Sequence, residues 1–253
     1  MKTLFLATAA VAALLAAPAA AQNVGSIGLT YANTEVSYDG DDADSDAWAV
    51  DGTVAMPAFG DWTVTLDGAV TRSDTFGEDA ESLSGAVHLT KMISSDLRAG
   101  GFVAADDAGI DLAWTVGAEV QKYMGNATLS GSLAYTTLDS FGADLDAWTI
   151  GGEAAYYVMP NVRLSAALSY SDLEFMDESE DALTYGVAGE YEFASTPISI
   201  RAGYSRTDFA DIEADTWTIG LRYNFGGGMQ ARERAGANLP GATGLLNLLG
   251  GAS

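Results

Sequence analysis

From Trp217 onward the chain alternates. Trp217, Ile219, Leu221, Tyr223 and Phe225 are separated by Thr218, Gly220, Arg222 and Asn224. The same period of two runs through Leu164, Ala166, Leu168 and Tyr170 against Arg163, Ser165, Ala167 and Ser169. It runs again through Trp148, Ile150, Gly152, Ala154, Tyr156 and Val158 against Thr149, Gly151, Glu153, Ala155 and Tyr157. Alternation over about ten residues describes a strand with one apolar and one polar face. Twelve such strands are predicted, near 25–36, 47–56, 62–72, 82–92, 97–105, 112–122, 127–137, 147–158, 162–171, 182–193, 198–207 and 215–225. Their lengths match the ~9–11 residues that a tilted strand needs to cross a bilayer.

The strands come in pairs, because the chain repeats. Asp46-Ala47-Trp48 is echoed by Asp146-Ala147-Trp148, by Asp215-Thr216-Trp217 and, more loosely, by Leu112-Ala113-Trp114. Weaker copies at Leu83 and Leu183 complete anchors at 48, 83, 114, 148, 183 and 217, spaced by 35, 31, 34, 35 and 34 residues. A fixed period of this size marks one supersecondary unit used repeatedly. Two kinds of connection alternate between the strands. Short turns, such as Met159-Pro160-Asn161, face acidic segments at 38–46, 73–81, 106–111, 139–146, 172–181 and 208–215, which are expected to be longer loops.

The aromatic residues sort by height. Trp48, Trp114, Trp148 and Trp217 fall at the acidic end of their strands, whereas Trp62, Tyr156, Tyr191, Phe193, Tyr223 and Phe225 fall at the other. Two aromatic girdles around an apolar outward band are the mark of a lipid-exposed barrel. A soluble β-sandwich also alternates, but gives no reason for two rings. The expected fold is therefore all-β: a transmembrane antiparallel up-and-down β-barrel of twelve strands over residues 22–225. The N-terminus agrees with export. Lys2, the apolar run Leu4 to Leu15 and Ala19-Ala20-Ala21 read as a signal peptide, residues 1–21, cleaved before Gln22.

Composition narrows the chemistry. The chain has no cysteine, which excludes a disulfide scaffold despite the exported compartment. With 35 acidic and 11 basic residues, a net charge of −24, it offers no surface for nucleic acid. The six acidic segments hold 25 of the 35 acidic residues and no Lys or Arg, so they are expected to enrich cations at the outer mouth. Asp39 to Asp46 resembles a calcium loop only weakly, because it lacks the spaced glycine and distal glutamate. Divalent ions bridging an acidic rim to outer-membrane lipids and lipopolysaccharide are the expected partners, with no metal site and no cofactor.

The leader, the twelve amphipathic strands and the final Leu221-Arg222-Tyr223-Asn224-Phe225 together resemble the porin-type outer-membrane barrels of Gram-negative bacteria. The resemblance covers residues 22–225 and implies an outer-membrane location. The terminal aromatic of the last strand is similar to the group's signal to the barrel-assembly machinery. One departure stands out. Chains of that family usually stop at this aromatic, whereas this one continues for 28 residues, 226–253, expected to be a flexible periplasmic tail.

As such a barrel, the chain is expected to be a passive, cation-preferring channel for ions and small hydrophilic solutes, in an oligomeric state that the sequence does not mark. The inward residues are mostly Thr, Ser, Gly and Ala, which leave room. Asp51, Asp67, Arg98, Glu119, Glu153, Arg163, Glu190, Glu192, Arg201 and Arg222 are the inward charges expected to set selectivity. A non-conducting structural barrel is the alternative, and bulky inward residues, chiefly Phe102 and Tyr157, would speak for it. An enzyme is not expected: the single histidine, His88, faces inward in the lower half of its strand, away from the outer rim. The sequence also lacks a Gly-x-Ser-x-Gly elbow and paired metal-ligand spacing.

Overall fold

The computed structural model describes residues 23–75, 78–107, 112–140, 143–175 and 178–240. Twelve antiparallel strands pair in chain order, and β1 pairs with β12, so the sheet closes on itself. The strands are β1 (Val24–Tyr38), β2 (Asp41–Pro57), β3 (Trp62–Thr75), β4 (Glu78–Ser94), β5 (Leu97–Asp107) and β6 (Leu112–Met124). They continue as β7 (Ala127–Ser140), β8 (Ala143–Met159), β9 (Val162–Phe175), β10 (Glu178–Glu192), β11 (Ile198–Phe209) and β12 (Ile212–Phe225). Closure leaves no unpaired edge, which is what a sheet in hydrocarbon requires.

The register confirms the facing read from alternation. Gly28, Asp51 and Ala69 follow one another across β1, β2 and β3 on the inner side. On the outer side Tyr31 is the partner of Trp48, Tyr135 of Trp148 and Tyr204 of Trp217. Leu168, Val187, Ile219 and Leu221 are more than half exposed, as an outward band meeting lipid would be. Small residues such as Ala49, Ala104, Ala134 and Ala155 are buried on the inner side.

At the end that carries the barrel's two termini, the strands stop within a residue or two of the expected positions. At the other end every strand but β6 runs further. β2 begins at Asp41 rather than 47, β4 at Glu78 rather than 82, and β8 at Ala143 rather than 147. The long acidic loops are thereby corrected: most of their residues belong to strands. Asp39 and Gly40 alone separate β1 from β2, with φ of 51° and 87°. An Asp-Gly pair with both φ positive is the turn that matches the twist of a two-residue hairpin.

The tail is the second departure. Gly226 and Gly227, with φ of 85° and 128°, turn the chain after β12. A Cβ at position 226 would stand 2.5 Å from the Asn23 carbonyl oxygen, so this reversal requires glycine. A short helix, α1 (Met229–Arg234), follows, with Met229, Arg232 and Glu233 buried. Residues 226–240 therefore fold back against the end of the barrel, with Met229, Arg232, Glu233, Gly236 and Ala237 buried there, instead of forming a flexible extension, because the wall supplies partners for their charges. Residues 1–22, which include the expected leader, and 241–253, which include the apolar end of the tail, fall outside the described residues.

Candidate functional site: the lumen and its plug

All ten inward charges named from the sequence face the lumen, but they do not form one ladder. They divide into three groups, each with its own partners.

The first group crosses β3 to β6. His88 Nδ1 lies 2.9 Å from Glu119 Oε1, and Nε2 lies 3.0 Å from Asp67 Oδ2, the latter off-line for a hydrogen bond. The ring stacks on Phe102 at 5.3 Å and is 1 % exposed. Phe102 needs space opposite, and Gly117 gives it: a Cβ there would meet the phenyl ring at 2.4 Å. One face of the imidazole is thus stacked on Phe102, and each ring nitrogen lies within ion-pair distance of a wall carboxylate.

The second group lies on β12, β1, β2, β10 and β11. Arg222 Nη2 pairs with Asp51 Oδ2 at 2.7 Å and its Nη1 donates to Ser26 Oγ at 3.1 Å. Glu190 accepts from Ser199 Oγ at 2.5 Å, although its cross-strand partner is Arg201. Arg201 points into the open part of the lumen.

The third group holds the tail. Arg163 pairs with Glu153 on the neighbouring strand and, through Nε, with Glu233 Oε2 at 3.2 Å. Tyr157 donates its hydroxyl to the same oxygen at 2.7 Å. Arg232 Nη2 meets Glu192 Oε2 at 2.6 Å. Arg98 donates to the Arg234 carbonyl oxygen at 2.9 Å, to Thr90 Oγ1 at 2.8 Å and to the Tyr123 hydroxyl at 3.2 Å. A cation at the last carbonyls of a helix suits their partial negative charge. Beyond α1, Thr65 donates to the Gly236 carbonyl at 2.8 Å and Gln121 to that of Asn238 at 2.6 Å. Ala237 packs into a cluster with Val24 and Ala55.

Sequence reasoning missed Gln121, Tyr123 and the tail's own Arg232 and Glu233. A signal existed: three consecutive glycines after the last strand, followed by Arg232-Glu233-Arg234, complement the charges on the lower wall.

Above the plug the lumen opens into a cavity of about 420 Å³. Its floor is Ala237 to Pro240; its wall is mostly small Ser, Thr, Gly and Ala residues, with Asp51, Asp67, Glu153, Arg201 and Arg222 among the charges. Asp106, on β5, is a further carboxylate on the cavity wall, 5 % exposed.

Outside the lumen, the girdle residues Trp48, Trp114, Trp148 and Trp217 are each more than half exposed on the outer face, and Tyr223 likewise at the other end. Trp62 lies there beside Lys91, whose Nζ is 5.0 Å from its ring, and Phe225 closes β12 at the same end. Tyr31 packs against Trp48 with ring centroids 5.0 Å apart and donates to Asp46 Oδ1 at 2.6 Å, and Asn33 donates to the same oxygen at 3.0 Å. Tyr204, Trp217 and Asp215 repeat the arrangement. The repeated Asp-x-Trp therefore faces outward, and Asp44, Asp74, Asp172 and Asp181 are exposed at the same end. Most of the expected acidic mouth is a belt around the barrel rather than a lining of its opening. In the β4–β5 turn, outside the membrane, the Lys122 ammonium and the Ser94 hydroxyl hold the Asp96 carboxyl below its usual range.

A closed twelve-stranded barrel with an apolar, aromatic-banded exterior and a polar interior is a protein of the outer membrane. The chain belongs to the Gram-negative porin family, whose profile it matches over residues 94–232. It is similar in fold to the translocator domain of the autotransporter NalP from Neisseria meningitidis. That match has a TM-score of 0.59 at 11 % identity, covering 88 % of this chain and 97 % of that one. An outer-membrane channel from Pseudomonas putida F1 follows at 0.58 and 12 %, covering 80 % and 95 %. The KdgM porin superposes at 0.50 and 10 %, covering 78 % and 99 %. No curated protein matches in sequence. Family and fold together define an outer-membrane channel protein in the broad sense.

Proposed function

We propose that the barrel is a passive channel for ions and small hydrophilic solutes, with a preference for cations and with no covalent chemistry. The observation that carries this reading is the cavity of about 420 Å³, walled largely by small Ser, Thr, Gly and Ala residues with charged side chains among them. Such a wall replaces part of a solute's hydration without binding it tightly, which conduction requires. Support for cation preference is electrostatic. The net charge of −24 places a negative field over the whole outer end, and focusing by a low-dielectric wall raises the local cation concentration. His88 supports no catalytic role, being held between two carboxylates and stacked on Phe102. The outward carboxylates above the tryptophan girdle support divalent-cation bridges to lipopolysaccharide phosphates. The β12 strand ending at Phe225 supports recognition by the barrel-assembly machinery.

A second reading, a non-conducting structural barrel, is favoured by one observation: Phe102, Tyr123, Tyr157 and the tail's Met229, Arg232, Glu233 and Ala237 are all buried in the lower lumen. Conductance of the refolded chain in a planar bilayer under a salt gradient separates the two. Stepwise currents that reverse toward the cation potential are expected. Steady silence from folded barrels, including those lacking the tail, would leave the structural reading; anion-selective currents would remove the cation preference alone.

A further inference from the structure

The charged and amide contacts between wall and tail share a property. Each charged or amide wall side chain that holds the tail has another partner within the wall, whereas the Tyr157 and Thr65 hydroxyls give their hydrogen bonds to the tail. Arg163 keeps Glu153 if Glu233 departs. Arg98 keeps Thr90 and Tyr123, and Gln121 keeps Ser130 Oγ at 3.3 Å and the Tyr123 hydroxyl, which donates to its Oε1 at 2.9 Å. Glu192 keeps Asn224 Nδ2 at 3.4 Å. A wall built only to bury a permanent plug would leave unpaired charges when the plug left, a strongly unfavourable outcome. The charged side chains of this wall keep a partner in both conditions.

The tail side is made differently. Glu233 is 2 % exposed, and while its Oε2 takes two donors, its Oε1 has no hydrogen-bond partner in the protein. A half-satisfied buried carboxylate holds the closed arrangement while keeping it short of maximal stability. Helix α1 has six residues and no side-chain N-cap bond, too short to persist by itself in water. The link to β12 is Gly226-Gly227-Gly228, the most permissive hinge a chain can have.

We infer that residues 226–240 are a releasable gate: the Glu233 carboxylate, seated in a site made by Arg163 and Tyr157, latches the periplasmic end of the lumen shut. The lumen conducts when that carboxylate leaves and α1 unfolds into the periplasm. The site is thus a carboxylate-binding site whose resident ligand is part of the same chain. This inference rests on reading the barrel as a channel.

The test compares single-channel records of four proteins: wild type, Glu233→Gln and an Ala55→Cys/Ala237→Cys pair, each spanning residues 22–253, and a chain shortened to residues 22–225. The chain has no cysteine of its own, so the engineered disulfide is unambiguous, and loss of free thiol reports its formation. Wild type is expected to rest in a closed level with rare openings. Glu233→Gln keeps the size of the latch but removes its charge, and should open about tenfold more often at the same open conductance. The oxidised cysteine pair should stay closed until a reductant is added, and the shortened chain should stay open. Should shortening prevent folding, the full-length Glu233→Gln variant carries the comparison. Equal, steady currents from wild type, Glu233→Gln and the oxidised pair would overturn the gate and leave the channel intact. Silence from every variant, each shown by heat-modifiable migration to be folded, would overturn the channel reading and the gate with it.

Discussion

At the scale of single residues, the repeat that organises the sequence has a local explanation. In the units at Asp46 and Asp215 the Asp accepts the hydroxyl of a tyrosine from the neighbouring strand and the Trp receives that tyrosine's ring, and Trp148 receives the ring of Tyr135. Each unit is a cross-strand aromatic pair with a polar handle at the membrane surface, where one end is apolar and the other wet. Two consequences can be measured. Trp148→Asp or Trp217→Asp puts a charge on the lipid face and should impair insertion. Normal heat-modifiable barrels from both variants would count against the outward facing of these residues. Tyr31→Phe leaves the ring on Trp48 but removes the donor to Asp46. It should lower the temperature at which the barrel loses its compact migration by less than Tyr31→Ala does; equal losses would mean that the ring contact contributes nothing.

At the scale of elements, the strands were legible because alternation survives substitution, and the turn-rich end was legible because Pro57, Pro160 and Pro197 interrupt it. The acidic ends were not. Aspartate is a poor strand former, so Asp41 to Asp46 reads as loop by composition, although its alternation with Ala43 and Ser45 continues the strand. The decisive signal was the Asp39-Gly40 pair, which calls for a two-residue hairpin and leaves no room for a loop. The lumen charges were placed on the correct face by parity alone. Their partners were not, since pairing across the barrel depends on residues far apart in sequence, such as Tyr157 and Glu233. A substitution at the hinge tests the tail as an element. Gly226→Val places a branched side chain at positive φ and against the Asn23 carbonyl. The tail should leave the lumen and become sensitive to added protease, with the barrel still folded. Unchanged protection would show that the tail's seating does not depend on this turn.

At the scale of the whole molecule, the charge is unevenly used. Inside, acids and bases are largely matched, as Asp51 with Arg222, Glu153 with Arg163 and Glu192 with Arg232. The excess negative charge is therefore concentrated on the outer belt, where salt screens it over about 8–10 Å. Cation preference arising from such a field should weaken as ionic strength rises, whereas preference arising from the lumen wall should not. Reversal potentials measured at a fixed salt ratio, from low to high total salt, distinguish the two sources. A preference that holds at ~1 M salt would assign selectivity to the wall.

The three glycines that follow Phe225 also set a quantitative rule for whatever enters from outside. A segment released from the lumen remains tied to the rim by a short flexible link, so it returns as an intramolecular ligand. Short flexible links give effective concentrations in the millimolar range. No dilution of the cell envelope changes that figure. A free carboxylate competing for the place beside Arg163 and Tyr157 would consequently need to accumulate to comparable concentrations before it kept the tail out. The barrel would ignore trace solutes and respond only to abundant ones.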